Sequence, residues 1–275
     1  MAEESPASAP GTGAAEIIRL EKLSRRAWPA LEDEVKEVSG WVLGTSGSYT
    51  RRANCVVPLA LPGQGLDECV GRVESFYQSR GRPAVFKLQP AAEPRELDAF
   101  LDARGYERAS ETIVMTRHAD PIANDEADPW KSEPADRIRV ELERNRLDSD
   151  WLSASVALSA VDADRAQDYR AILEKLLNLQ GDSIFGRLEC EGRILSVALG
   201  CLVDDAVSFV QVATAPEARG QRFAERVLRE ILAAANESGS PTGLLSVEAD
   251  NASARKLYDR LGFIERYRYW YREQR

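Results

Sequence analysis

The spacing of apolar residues changes abruptly at Pro216, and this change restricts the fold more than any other feature of the chain. Before Pro216, the runs SIFGRLEC, RILSVALGCLV and VSFVQVAT are apolar or alternating and are joined by Glu-Gly and Asp-Asp turns. Such runs predict an antiparallel meander. After it, apolar residues share one helical face, namely Phe223, Val227, Leu228, Ile231, Leu232 and Ala235. The sequence therefore predicts a sheet followed by a long amphipathic helix.

The other elements of the C-terminal half alternate between helix and strand. A helix from Ala163 to Leu179 opens this half, and the strand GLLSVEA is predicted from Gly243 to Ala249. A short helix from about Ser253 to Leu261 ends at Gly262, and an aromatic strand runs from Phe263 to Tyr271. These elements predict an α/β (α+β) fold with a mixed, mostly antiparallel sheet flanked by helices.

The N-terminal half ends in the same order of elements. We predict a helix from Asp67 to Ser79, the strand PAVFKL, a helix from Pro94 to Arg104, a Gly-aromatic stop and a strand. The segment from Phe100 to Arg117 matches the segment from Leu257 to Arg272 in spacing from the glycine and in apolar rhythm. We interpret this match as an internal duplication, which predicts two domains of one type.

Two stretches lack periodic apolar residues. Residues 1–15 consist of Ala, Ser, Pro, Gly and Glu with almost no large apolar side chain, and we expect a disordered tail there. Residues 118–136, HADPIANDEADPWKSEPAD, are rich in proline and aspartate and predict a linker. The predicted domains are therefore residues 16–117 and residues 137–275.

Charge and composition exclude several classes of function. The net charge is −9, whereas nucleic-acid binding requires a surplus of Lys and Arg, so we expect no nucleic-acid partner. We find no apolar window of the length that spans a membrane and no signal peptide, and we expect a cytoplasmic protein without membrane contact. The four cysteines form no CxxC pair and His118 is the single histidine, so we expect no metal site.

Two segments, VQVATAPEARGQRFAERVL and LLSVEADNASARKLYDRLGF, resemble the GNAT superfamily of acetyl-CoA-dependent N-acetyltransferases. In that family a strand splays open after a bulge, a Q/R-x-x-G-x-G/A loop opens the next helix, and an N-x-x-A-x-x-L-Y-x-x-L-G-F segment completes the cofactor site. The chain matches the first motif at Arg219 and Ala224, and the second at Asn251, Ala254, Leu257, Tyr258, Leu261, Gly262 and Phe263. The resemblance implies two GNAT-like domains, the C-terminal one active.

The helix after Pro216 should present unpaired amides and partial positive charge, which suit the diphosphate of coenzyme A. We therefore assign cofactor binding to Arg219, Gly220, Gln221, Arg222, Phe223 and Ala224. The resemblance implies further cofactor contacts from Val212, Ala213, Thr214, Asn251, Ala254 and Tyr258. Arg222 stands where the family usually has glycine, which reduces the room for phosphate; its side chain either contacts a phosphate or points to solvent.

Acetyl transfer to an amine needs a proton acceptor for the amine and a proton donor for the leaving thiolate. Tyr258 matches the family tyrosine near the sulfur, and a phenol is protonated at neutral pH; the alternative is a tyrosine that packs on the core. No carboxylate lies in VSFVQVAT, so Glu248, acting through water, is the candidate base, and a merely solvated glutamate is the alternative. A strand amide near Val212 is the candidate for oxyanion stabilisation.

The N-terminal half lacks these polar groups, with Leu101 at the place of Tyr258 and Pro94 at the place of Asn251. We interpret it as a degenerate repeat. Its stretch GWVLGTSGSYTRRANCVVPL resembles tandem-domain bacterial acetyltransferases. Arg52 and Asn54 are predicted to share one face of a strand, where they either orient substrate or bond between domains.

The sequence thus predicts an acyltransferase that moves an acetyl group from acetyl-CoA directly to a primary amine of a small molecule. One alternative is acetylation of protein N-termini or lysines. Another alternative is a non-catalytic acyl-CoA sensor. Arg222 in place of the motif glycine and the absence of a carboxylate from VSFVQVAT are compatible with this function. We expect a monomer or a homodimer.

Overall fold

A computed structural model describes residues 12–28, 36–38, 40–46, 50–118, 137–159, 161–178 and 182–274. The predicted tail up to residue 11 and the predicted linker from residue 119 to 136 lie outside the described residues. Ala14 and Ala15 differ from the prediction of a disordered tail, because they form the start of the first helix.

The N-terminal half contains the helices and strands that the duplication predicts, with additional short elements before them. In chain order they are α1 (Ala14–Ala27), β1 (Lys36–Val38), β2 (Trp41–Leu43), a 3₁₀ turn (Arg51–Ala53), β3 (Val56–Pro58), α2 (Leu66–Gln78), β4 (Val85–Leu88), α3 (Leu97–Ala103) and β5 (Glu107–His118).

The predicted strand around Arg52 and Asn54 is wrong. The Thr50 hydroxyl accepts a hydrogen bond from the Arg52 amide at 3.2 Å and starts the 3₁₀ turn. The Asn54 side chain then donates to the carbonyls of Ser46 and Thr50, at 2.6 and 2.8 Å. These local side-chain bonds compete successfully with strand formation.

The C-terminal half confirms the predicted meander and helices and adds β6 and α4, which the periodicity did not indicate. Its elements are β6 (Ile138–Arg144), α4 (Ser149–Leu158), α5 (Ala163–Asn178), β7 (Ser183–Cys190), β8 (Arg193–Val203), β9 (Ala206–Thr214), a 3₁₀ turn (Pro216–Ala218), α6 (Phe223–Glu237), β10 (Thr242–Glu248), α7 (Ala252–Arg260) and β11 (Ile264–Glu273). None of the described helices combines the length and apolar character that crossing a membrane requires.

The chain divides into two compact units. The first contains Met1–Met115, Ser246–Ala252 and Glu265–Arg275, and the second contains Thr116–Leu245 and Ser253–Ile264. A single cut at the predicted linker does not separate them, because β11 pairs antiparallel with β4 and thereby belongs mainly to the first unit.

The first unit has a mixed sheet in the order β1-β2-β3-β4-β11-β5, followed by the end of β10. Phe86 on β4 packs edge-on against Trp41 and Tyr106, with ring centroids 6.0 and 5.5 Å apart. The core around these rings is formed by buried side chains of strands and helices, including Leu43, Val56, Cys69, Val70, Val73, Phe76, Tyr77, Leu88, Leu97, Leu101 and Trp270.

The second unit has β6, β7, β8 and β9 in antiparallel order, with the start of β10 parallel to β9. Glycines on this sheet let α6 approach closely. A Cβ added at Gly186 would lie 2.7 Å from Val227 Cγ1, and one at Gly200 would lie 2.8 Å from Ile231 Cγ2. Since real Cβ atoms do not approach this closely, these glycines fix the position of α6 and of the loop that precedes it.

Candidate active site

The loop between β9 and α6 contains two left-handed residues. Gly220 has φ +80°, and Arg222, the N-cap of α6, has φ +59° and ψ +17°. A Cβ at Gly220 would meet no atom within 4 Å, so the backbone angle, not packing, favours glycine there. Arg222 adopts a conformation that costs a residue other than glycine about 1 to 2 kcal/mol. The departure from the family motif therefore changes the side chain but keeps a glycine-like backbone.

The first turn of α6 presents backbone donors. Its first hydrogen bond runs from the Arg226 amide to the Arg222 carbonyl, at 3.1 Å. No described residue accepts from the amides of Ala224 and Glu225. Together with the positive end of the helix dipole, these donors form a site suited to an anion.

Arg219 stands beside this turn as an open cation. Its exposed guanidinium has neither a hydrogen-bond nor an ion-pair partner in the described part of the chain. The nearby carboxylate of Glu217 pairs instead with Arg193 at 3.0 Å. A bond from its own amide, and then Arg193, lower the pKa of Glu217. Arg219 is thus available for a charged ligand.

Two other residues of the predicted loop face different surroundings. Gln221 is exposed, and its side-chain amide donates to the Glu217 carbonyl at 3.3 Å. Phe223 is 2% exposed, so its ring is part of the core and is not open to a ligand.

Strand β9 contains the bulge that the family resemblance implies. Gln211 lies opposite Leu199 and Phe209 lies opposite Gly200, which leaves Val210 as the extra residue. The parallel register of β9 with β10 covers Ala206–Phe209 among the described residues. The strand therefore keeps β8 as its neighbour on both sides of the bulge, whereas its described pairing with β10 ends just before the bulge.

The predicted residues Val212, Ala213 and Thr214 follow the bulge. Val212 and Thr214 are half-buried, whereas Ala213 is buried. The Ser196 hydroxyl donates to the Ala213 carbonyl at 3.1 Å and lies 2.9 Å from the Thr214 hydroxyl. Ser196 on β8 thus fixes the end of β9 at the position where the pantetheine arm is expected.

Tyr258 on α7 is 7% exposed. Its ring packs edge-on against Phe263 at 5.9 Å between centroids, and the Phe263 amide donates to the Tyr258 carbonyl at 3.0 Å. Ala254, one turn earlier on the same helical face, is half-buried. The left-handed turn at Gly262, with φ +79°, therefore precedes the residue, Phe263, whose amide and ring both hold Tyr258 in place.

Glu225 is a site residue that the sequence reasoning missed. It is 2% exposed, and its two oxygens accept bonds from Arg229 at 3.0 Å and Arg260 at 2.9 Å. The carboxylate thereby ties the first turn of α6 to α7, which carries Tyr258. The i,i+4 spacing of Glu225 and Arg229 could have predicted their ion pair on the helix. The ion pair with Arg260 depends on tertiary structure and could not have been predicted from spacing.

Glu248 and Asn251 belong to the first unit, whereas the other predicted site residues belong to the second. Both side chains are exposed, and the Asn251 amide donates to the Glu248 carbonyl at 3.0 Å. Glu248 has no ion-pair partner within the described ranges.

Comparison with known proteins identifies the family. The family model described as "Probable histone acetyltransferase Rv0428c C-terminal" matches residues 14–272, nearly the whole chain. The protein belongs to this family of GNAT N-acetyltransferases. It is similar to the "Uncharacterized N-acetyltransferase YobR" of Bacillus subtilis (strain 168), with 25% identity over 94% of this chain and 99% of that protein.

Solved structures show the same fold. This acetyltransferase resembles a GCN5-related N-acetyltransferase from Kribbella flavida with a TM-score of 0.66 and 14% identity, covering 97% of this chain and 96% of that one. It also resembles a tandem GNAT protein from the clavulanic acid biosynthesis pathway with a TM-score of 0.58 and 15% identity, covering 79% and 75%.

The described residues contain no group of His, Cys, Asp and Glu side chains that could hold a metal ion. The loop of this GNAT chain does fit a diphosphate, because it combines the open space at Gly220, unpaired amides and the open Arg219 guanidinium.

Proposed function

We propose that the second unit binds acetyl-CoA and that the enzyme transfers the acetyl group directly to a primary amine of a small molecule. The start of α6 carries this proposal. Left-handed residues at positions 220 and 222, free amides at Ala224 and Glu225 and the open cation of Arg219 converge there. Such a helix end binds phosphate groups strongly.

Other residues of the chain bind the rest of the cofactor and transfer the two protons of the reaction. Acetyl-CoA supplies the activated thioester. Val212 and Thr214 provide strand amides and carbonyls, and Asn251 and Ala254 complete the cofactor site. Tyr258 donates a proton to the leaving sulfur, and Glu248 accepts the amine proton through water. Tyr258 suits its role because its backbone and ring are both fixed.

We also propose that residues 16–117 and 137–275 descend from one GNAT-type domain and that the first has lost its chemistry. The α3–β5 and α7–β11 segments support this proposal, since each ends its helix at a glycine with positive φ. In this proposal the first unit binds the acceptor amine and does not bind acetyl-CoA.

The first test is calorimetry of acetyl-CoA binding, followed by assay of thiol release with a panel of primary amines. Arg219→Met should weaken acetyl-CoA binding about tenfold, the loss expected for one charge-assisted hydrogen bond. Arg193→Met is the matched control, because that arginine is also exposed but is paired with Glu217. No binding by the wild type would refute the proposal.

A second candidate is acetylation of protein lysines, which the family description as a probable histone acetyltransferase favours. The panel therefore includes a lysine-containing histone-tail peptide and the same peptide with its lysines acetylated. Faster turnover of the free peptide than of every small amine would favour the second candidate. Binding without turnover on any amine would indicate an acyl-CoA sensor.

A further inference from the structure

The first unit contains a buried polar cluster that the proposed acetyl-CoA site does not use. Its centre is an ion pair between Lys87 Nζ and Glu21 Oε2 at 2.7 Å, with both side chains at most 5% exposed. The Tyr267 hydroxyl donates to the other Glu21 oxygen at 2.8 Å. Glu21 is therefore fully engaged by Lys87 and Tyr267.

Tyr269 connects this pair to Arg52. Lys87 Nζ lies 3.9 Å from the centroid of the Tyr269 ring, and Arg52 Nε donates to the Tyr269 hydroxyl at 3.2 Å. Burial raises the pKa of Tyr269, but Arg52 and Lys87 outweigh it and lower that pKa below its ordinary value. Arg52 and Lys87 thus stabilise the ionised form of the Tyr269 hydroxyl.

The Arg52 guanidinium has N–H donors that no described residue uses. A guanidinium has five N–H groups, and Arg52 uses the one on Nε. No described residue accepts from its Nη1 or Nη2. The neighbouring Arg51 differs, because its guanidinium forms a two-pronged pair with Glu273 at 2.9 and 3.0 Å.

Arg25 adds a second open cation to the same cluster. It lies near the end of α1, and its guanidinium has no hydrogen-bond or ion-pair partner within the described part of the chain. Burial raises the pKa of the Cys55 thiol to about 11, and Lys87, Arg25 and Arg52 oppose that rise. Three cations of the first unit therefore act electrostatically on one thiol, and Glu21 is the only carboxylate that bonds to any of them among the described residues.

The surroundings of Arg52 suit a small ligand that carries both a charge and an apolar part. Arg52 is half-buried, and its guanidinium lies 6.0 Å from the centroid of the Trp28 ring. The pKa of Arg52 is raised chiefly by Tyr269 and, with a smaller effect, by the carboxylate of Glu248, the candidate base, which belongs to the same unit. A cation able to bind an anion and the group proposed to deprotonate the amine therefore interact electrostatically.

We propose that Arg52, assisted by Arg25, binds a carboxylate of the acceptor, so that the enzyme acetylates small amines that carry an acidic group. This inference rests on the proposed acetyltransferase function. A planar guanidinium with free Nη groups binds a carboxylate through two parallel hydrogen bonds. The same cations repel a basic peptide, which disfavours a histone tail as the acceptor.

The test compares pairs of amines that differ only in the carboxylate: glycine with methylamine, β-alanine with ethylamine, and L-lysine with cadaverine. Wild-type kcat/KM should favour the carboxylated member of at least one pair by about 10- to 100-fold. Arg52→Met should remove that preference through KM while kcat and the acetyl-CoA Kd stay unchanged. Arg51→Met, the matched control in the same turn, should keep the preference.

Arg52→Lys retains a charge but lacks the planar fork, and it should retain part of the preference. Thermal unfolding shows whether each variant is folded. Calorimetric titration with the three amino acids, in coenzyme A-saturated protein, measures binding without turnover. Equal rates within every pair, a preference that survives in Arg52→Met, or amino acid binding independent of Arg52 would each overturn the proposal. Failure of acetyl-CoA binding in the wild type would instead refute the proposed function.

Discussion

The joint from α3 to β5 and the joint from α7 to β11 have matching backbones. Gly105 has φ +87° and Gly262 has φ +79°. In the first joint the Tyr106 amide donates to the Leu101 carbonyl at 3.0 Å, and in the second the Phe263 amide donates to the Tyr258 carbonyl at the same distance. The two joints thus place Leu101 and Tyr258 in equivalent positions.

Both joints also connect their short helix to a longer one through an arginine. Arg104 pairs with Glu74 at 2.9 Å on α2, and Arg260 pairs with Glu225 at 2.9 Å on α6. The glutamates differ in burial, with exposed side-chain fractions of 23% and 3%. The comparison teaches that the shared fold sets the backbone of both joints. The proposed chemistry depends on features of the second joint alone, namely the Tyr258 hydroxyl, the buried Glu225 carboxylate and the start of α6.

The largest expected effect is on turnover. Tyr258→Phe should lower kcat about 100-fold or more, because general acid catalysis contributes factors of that size, and should leave the acetyl-CoA Kd unchanged. Steady-state thiol release measures kcat, and calorimetry measures the Kd. Tyr106→Phe makes the same change in the first joint and should leave kcat unaltered. Equal kcat values for wild type and Tyr258→Phe would exclude Tyr258 as the acid.

The next effect is on stability. Glu225→Gln should lower the free energy of unfolding by about 2 kcal/mol, because it removes a buried charge shared by two arginines. Glu74→Gln should cost less than about 1 kcal/mol, since its pair is partly exposed. Urea unfolding measures both. Similar losses would show that burial does not distinguish the two joints.

The start of α6 offers a smaller test. Arg222→Gly should stabilise the protein by up to about 1 kcal/mol, because glycine adopts the left-handed conformation without strain. It should also tighten acetyl-CoA binding a few-fold by opening room for phosphate. Gly220→Ala, which introduces strain at φ +80°, should act in the opposite direction on both quantities. Weaker binding by Arg222→Gly would instead show that the arginine contacts a phosphate.

The smallest effect concerns pH. Hydrogen bonds from Arg104, and then from Tyr106, lower the pKa of Glu74 against the opposing effect of burial. A carboxyl whose folded pKa is depressed stabilises the protein above its unfolded pKa of about 4.3, and that contribution disappears as the pH falls through the folded pKa. Glu74→Gln should therefore differ from wild type in urea unfolding at pH 6, and the difference should shrink as the pH falls below the unfolded pKa and through the folded one. A difference that does not shrink in acid would contradict this account.

Local patterns were sufficient for most of the second unit. The apolar period predicted β8 with the observed bounds, and Phe223, the first residue of the predicted apolar face after Pro216, begins α6. It did not indicate α4, although Asp148 caps that helix by accepting from the Asp150 and Trp151 amides at 3.4 Å. The strand predicted at Arg52 failed because a Thr50 hydroxyl bond outweighed strand propensity.

The sequence by itself determined the order of elements, the glycine stops and the motif residues at the start of α6 and along α7, because each depends on neighbours within a few positions. Tertiary structure alone decided that β11 joins the first unit, that Glu225 meets Arg260, and that Arg52 keeps open donors beside a buried ion pair. These features depend on residues far apart in the chain, whose approach is set by packing and by the exclusion of water, and no local spacing encodes them.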